Sequence, residues 1–185
     1  MINFHPDLDL ITEYAAGSLP LTQSACVSLH ISHCRRCQGI AGQLADLGAS
    51  LFEAQEPVAV GDAQLNAVLA RLDEEVPLSY AKTHKDTSNT PAILQRLMCG
   101  DFSDLNWKNI GSTLRISYLQ AGDPQHELAI YHFNAGGRIP EHTHRGSEMT
   151  LILQGGFSDA HGSYHKGDFL VRRQGDVHAP TALQS

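Results

Sequence analysis

The chain has 185 residues, a formal charge of −7, four cysteines and eleven histidines. This length allows one large domain or two small ones. No apolar run reaches membrane-spanning length, and Met1 to Asp9 lack the basic-then-apolar profile of a secretory signal.

Four cysteines without such a signal fit a reducing, cytoplasmic setting and metal or redox chemistry, not a disulfide framework. The charge is unevenly placed. Residues 1–75 hold three basic and ten acidic side chains, whereas residues 76–185 hold ten of each. The N-terminal part therefore carries the whole imbalance. An acidic module repels nucleic acid and suits a basic protein partner.

The first 75 residues read as helices. Asp7 to Ala16 places Leu8, Ile11, Tyr14 and Ala15 at helical spacing, and Gly17 stops it. A second helix, roughly Thr22 to His33, follows Pro20. A third runs from Arg35 to Glu53, with apolar positions from Ile40 to Phe52. A fourth spans Asp62 to Glu75 and ends before Pro77. Helices this short bury a modest core, and small domains commonly need a metal or another staple. Residues 76–106 read as a linker: polar, proline-bounded residues up to Pro91, then a short apolar turn from Ala92 to Met98.

From Trp107 to Ser185 the texture changes. Leu114 to Leu119 and Glu127 to Phe133 alternate, and Met149 to Leu153 and Asp168 to Val171 are short apolar runs between glycine turns. Short strands at such spacing predict an all-β barrel or sandwich. The fold class expected is therefore multidomain α + β, a helical module followed by a β-barrel.

Two ligand patterns stand out. His30, Cys34 and Cys37 form H-x3-C-x2-C. On a helix those positions share one stripe, so an imidazole and two thiols point at a common centre. That soft donor set suits tetrahedral Zn2+. By geometry, Cys26 one turn earlier or His33 at the stripe's edge could complete it. Cys26 and Cys99 otherwise read as small buried hydrophobes. The second pattern is His142-x-His144, then Glu148, then the distant His178. On a strand i and i+2 share a face, so both imidazoles point inward, with Glu148 in reach after a turn. Three imidazoles and a carboxylate suit Zn2+ or another divalent transition metal. His84, His126, His132, His161 and His165 read as surface or packing residues.

The run Gly136-x5-His142-x-His144-x3-Glu148-x6-Gly155 is similar to the first motif of the cupin superfamily. Gly167-x5-Arg173-x-Gly175-x2-His178 resembles the second, with Arg173 where proline is usual. The resemblance implies a jelly-roll β-barrel. Only seven residues follow His178, so at least one closing strand is expected to be missing, leaving a barrel edge exposed.

Helices bearing H-x3-C-x2-C ahead of a cupin resemble the ChrR family of zinc-binding anti-sigma factors. His5-Pro6, the Tyr14 to Leu19 stretch and the H-x3-C-x2-C triplet carry the N-terminal match. The resemblance implies that His5 joins His30, Cys34 and Cys37 as the N-terminal zinc ligands. It implies an extracytoplasmic-function sigma factor as partner, with RNA polymerase affected only indirectly. It also implies a cupin that senses oxidants such as singlet oxygen and releases the partner. Apolar residues of the first and fourth helices would supply the contacts. No direct nucleic-acid or membrane partner is expected, and no enzymatic role. The alternative is a cupin metalloenzyme, dioxygenase-like, with an accessory zinc-binding helical domain. It needs an open metal position and a substrate pocket.

Overall fold

The computed structural model describes residues 2–72 and 90–184. Residues 76–89 of the expected linker, and the last residues of the expected fourth helix, lie outside the described residues, as does His84. Helix α1 (Leu8–Ala15) is capped by Asp7, whose side chain accepts from the Leu10 N–H at 2.9 Å. It ends at Gly17, whose φ of 69° suits glycine alone without strain. Helix α2 (Leu21–His33) starts after Pro20 and stops at Cys34, where φ −113° and ψ 102° are extended. Helix α3 (Arg35–Glu53) starts again at once. The metal-ligand triplet thus lies across the break between two helices, where the expected helix bounds also place Cys34. Cys34 is the corner itself.

The core under this corner is small. Ile11, Cys34 and Cys37 are buried, with Ile2, Ile31, Ile40, Ala41 and Leu44 packed against them. The apolar stripe of α3 continues beyond Leu44, but its cover does not. Every residue from 45 to 72 is exposed, including all of helix α4 (Asp62–Leu69).

The apolar turn expected at Ala92–Met98 is a two-turn helix, α5. Its Leu94 and Met98 are buried against Leu29 of α2, with Leu119, Ile130 and Leu151 around them. Each such burial contributes on the order of 1.5–3 kcal/mol. Cys99 corrects the expectation of a buried thiol. It is exposed and sits just past α5 at φ 54°, because Leu94 and Met98 take the inward face. Cys26 is half-buried.

Ten short antiparallel strands follow: β1 (Lys108–Ile110), β2 (Leu114–Leu119), β3 (Leu128–Phe133), β4 (His142–Thr143), β5 (Glu148–Leu151), β6 (Gly156–Asp159), β7 (Gly162–His165), β8 (Phe169–Arg172), β9 (Val177–His178) and β10 (Thr181–Ala182). The first three form a meander. The next six pair as nested hairpins, β4 with β9, β5 with β8 and β6 with β7, which is the wrapping of a jelly roll. A strand does follow His178: β10 pairs with β6, and Arg138 bridges to Thr181.

Helix α2 packs between the other helices and the strands. Near its start the Thr22 hydroxyl donates to Asp123 Oδ2 at 3.0 Å, on the β2–β3 connection. Near its end the ring of His30 donates to the carbonyl of Gly167 at 2.9 Å, on the β7–β8 turn.

Two buried carboxylates fix the strands. The side chain of Asp159 is inaccessible and pairs with Arg172 at 2.7 Å. Its carboxyl also accepts from Tyr164, 3.2 Å away. Burial pushes the Asp159 carboxyl up, but the His161 N–H, the Arg172 guanidinium and the Tyr164 hydroxyl together hold it below the usual range. Burial also opposes ionisation of Asp168, and the N–H groups of His165, Asn3 and Phe4 outweigh it. A carboxyl depressed in the fold stabilises it fully above its unfolded value of about 4, and that contribution is lost as pH falls through the folded value. The urea midpoint should therefore drop as pH is lowered from about 5 to about 3. Asp159→Asn leaves Arg172 without its counter-charge. It should cost about 3 kcal/mol near neutrality and flatten the acid drop. An unchanged acid slope in that variant would assign the drop to other groups.

Candidate metal centres

The first centre forms where α2 and α3 meet and the N-terminal segment folds back over them. His30 ends α2's inward face, Cys34 is the corner, and Cys37 lies in the first turn of α3. His5 arrives from the segment before α1. Its Nδ1 lies 3.3 Å from Cys34 Sγ, 3.5 Å from Cys37 Sγ and 3.4 Å from His30 Nε2. The four ligand atoms all lie within 4.8 Å of one another. A tetrahedron with metal–ligand bonds of about 2.0–2.3 Å has edges of about 3.3–3.8 Å, so the set fits a tetrahedral ion.

The protonation pattern fits as well. His30 Nδ1 donates to Gly167 O, which leaves its Nε2 lone pair facing the centre. Burial lowers the pKa of His30, despite the Gly167 hydrogen bond, and burial together with Arg36 lowers that of His5. Both imidazoles are thus held neutral, the form that ligates. Without a cation the Cys37 thiol is pushed up to about 11, by burial first and then by the adjacent Cys34. A bound cation reverses that preference and displaces the proton.

Among the described residues the cluster of four includes neither rival for the fourth position. Cys26 sits one turn back along α2, about 6 Å by helical rise, and burial pushes its thiol up to about 12. His33 turns away, with its Nδ1 2.9 Å from the Leu29 carbonyl.

The second centre lies among the strands. His142 and His178 face each other across the β4–β9 pair, and His144 follows two residues after His142 on the same face. Their Nε2 atoms converge: His178 is 3.0 Å from His144 and 3.1 Å from His142. His142 Nδ1 donates to the Pro140 carbonyl at 3.0 Å, which frees its Nε2. Burial lowers the pKa of His178, against the pull of Glu148, so this imidazole too is held neutral.

Among the described residues the close ligand set holds only the three imidazoles, and Glu148, which opens β5, stands at its edge. The Thr150 hydroxyl donates to its Oε1 at 3.0 Å. Its Oε2 is buried without a hydrogen bond, 2.7 Å from His144 Nε2 and 3.8 Å from His178 Nε2. An orphaned carboxylate oxygen beside the imidazoles of His144 and His178 is what a divalent cation satisfies. Arg173, where cupins usually carry proline, donates its N–H to Asp176 at 2.8 Å. Proline has no N–H to donate, so the turn before β9 is held here by a bond that proline would forbid.

The remaining described histidines fall outside both groups. His126 pairs with Asp123 at 2.9 Å, His132 packs edge-on to Trp107, and His161 and His165 are exposed.

Residues 95–185 match the family model described as the ChrR cupin-like domain. The chain is 33% identical over 181 residues to the anti-sigma-E factor ChrR of Cereibacter sphaeroides, covering 98% of this chain and 84% of that protein. The chain belongs to the ChrR family. In a crystal structure of Rhodobacter sphaeroides SigE in complex with the anti-sigma ChrR, one chain superposes with a TM-score of 0.84 at 32% identity. That likeness covers 100% of this chain and 95% of the other. Membership in the ChrR family therefore spans both the helices and the strands.

Reading the sequence did not find the groups behind the ligands. The Gly167 carbonyl orients His30, and Asp159 Oδ2 lies 3.7 Å from His178 Nδ1. A main-chain carbonyl has no sequence signature. Asp159 is one acidic residue among 20, and only the β6–β7 register places it behind His178.

Proposed function

We propose that this chain is an anti-sigma factor that binds and inhibits an extracytoplasmic-function sigma factor, with two metal centres in separate roles. Its layout is a helical module over residues 1–75, a linker over 76–106 and a cupin-like module over 107–185. In the helical module His5, His30, Cys34 and Cys37 hold a structural Zn2+: four protein ligands, no open position, and folding energy supplied directly. In the cupin-like module His142, His144, Glu148 and His178 hold Zn2+ or another divalent transition metal. That centre senses oxidants, singlet oxygen or a related species, and releases the partner.

The observation that carries this reading is the uncovered run from 45 to 72. It displays Leu47, Leu51, Val58, Leu65 and Val68, each more than half exposed, and Phe52 at 80%. Large apolar side chains exposed in such number over one stretch suit a protein contact. The acidic balance of residues 1–75 complements a basic sigma surface. A relative of this chain is seen bound to SigE. The C-terminal half of α3 thus joins α4 in the binding face, alongside the exposed Leu8 of α1.

The test is co-expression with extracytoplasmic-function sigma factors from the same organism, followed by binding of the Phe52→Ala protein. A 1:1 complex is expected. Phe52→Ala should shift stability by no more than about 0.5 kcal/mol, since the ring touches little in the free chain. It should weaken the complex by about tenfold or more, the signature of a buried aromatic anchor. Full sigma-dependent transcription in the presence of excess protein would refute the proposal.

A further inference from the structure

The cupin-like module reaches into the sulfur centre at one turn, between β7 and β8. Gly167 O accepts from His30 Nδ1 at 2.9 Å, with both residues buried. Asp168, wholly buried, accepts on Oδ1 from the N–H groups of Asn3 at 2.7 Å and Phe4 at 3.1 Å, the two residues that lead into His5. Its Oδ2 accepts from the His165 N–H at 2.8 Å, which ties the same carboxylate to its own turn. The Phe169 N–H donates to the Phe4 carbonyl at 3.0 Å, so the N-terminal segment is laced to the start of β8. The approach leaves no room. Gly167 has φ 91°, and a Cβ there would lie 2.8 Å from the Ile2 side chain.

Two of the four ligands are therefore set from outside their own module, His30 through its ring and His5 through the backbone just ahead of it. The strand that carries this latch is only four residues long. At its far end Arg172 pairs with Asp159, the carboxylate behind His178, and stands opposite Glu148 in the β5–β8 register. One short strand thus touches the surroundings of both ligand groups.

We infer that the β7–β8 turn is the outer shell of the N-terminal centre, with Asp168 as a positioning residue for His5 and the Gly167 carbonyl for His30. This rests on the reading of the four-residue cluster as a metal centre. Partners of this kind fix ligand orientation, and their loss typically costs 10–100-fold in metal affinity.

The experiment uses the full chain loaded with Co2+, whose thiolate charge-transfer band reports the sulfur centre alone. The protein is challenged with excess EDTA and the band is followed as it decays. Asp168→Ala should accelerate the decay about tenfold or more. Asp168→Asn, which keeps an oxygen for Asn3 and Phe4, should fall between it and the unsubstituted protein. Asp123→Asn, which loosens the other end of α2 at Thr22, should stay within about twofold. If Asp168→Ala decays at the unsubstituted rate, or if Asp123→Asn accelerates it equally, the inference is overturned. If Asp168→Ala does not fold, Asp168→Asn decides by the same criterion. Absence of the thiolate band in the unsubstituted chain would instead overturn the metal reading, and this inference with it.

Discussion

Serine at both Cys34 and Cys37 should empty the N-terminal centre and abolish inhibition of the partner. Among the described residues the hydrophobic core beneath that corner has three buried members, and two of them are these cysteines. A module with so little apolar burial depends on its staple. Structural Zn2+ contributes about 10–16 kcal/mol of apparent binding energy in zinc-finger peptides at neutral pH. Even a small part of that, lost from the corner, disorients α3, and the binding face runs on from α3. Affinity for the sigma factor should fall by about a hundredfold or more, equivalent to ~2.7 kcal/mol. Titration calorimetry with the purified partner checks this. Wild-type affinity in a serine pair that has lost its zinc would show that the metal does not organise the binding surface.

Alanine at His142 and His144 should have the opposite profile. Sigma binding stays within about twofold, while oxidant-triggered release is lost. Two routes to release compete. Thiolates are oxidisable, so direct attack on Cys34 or Cys37 with ejection of zinc is chemically available. Access argues against it: Cys34 is 4% and Cys37 0% exposed. Reactive cysteines sit in open, electropositive places. The second centre is more open, with 25% of the His144 side chain and 32% of Glu148 exposed. From there the path to the helices is short, through Glu148 and Arg172 on paired strands to the turn that holds His30. Transcription from a sigma-dependent reporter, before and after oxidant, separates the routes. Unchanged induction in the double variant would assign the trigger to the thiols.

Most of both ligand groups was legible in the sequence, for different reasons. His142, His144 and His178 follow from strand alternation and motif spacing, and the strand pairing brings these three together, with Glu148 at the edge of the group. His30, Cys34 and Cys37 were found by helical phase, although the helix breaks at Cys34. The i, i+4, i+7 spacing survives because α3 restarts immediately and carries Cys37 back under His30. His5 had no local signal, since it lies in an irregular segment. Only the resemblance pointed to it, over Cys26 and His33.

Two features resisted reading for a common reason. Helical periodicity in α3 gives an apolar stripe from Ile40 to Phe52, but it does not say where the cover stops. In the fold the stripe is split between a core half and an exposed half, and the exposed half is what a partner needs. The same limit applies at Cys99. Composition favours burial of cysteine, yet its place one step beyond α5, at φ 54°, turns it outward. The registry between helices and strands, through Asp123 and Asp168, depends on contacts more than 100 residues apart. No local pattern encodes such a pairing.

The central claim is that two separate ligand clusters, one rich in sulfur and one made of imidazole and carboxylate, each hold an ion. Metal analysis with X-ray absorption on full-length protein, purified without chelator, tests it most directly. The account predicts two metal equivalents per chain, one of them zinc with sulfur and nitrogen in its first shell. A chain free of bound metal, or one whose zinc shows no sulfur neighbour, would contradict it.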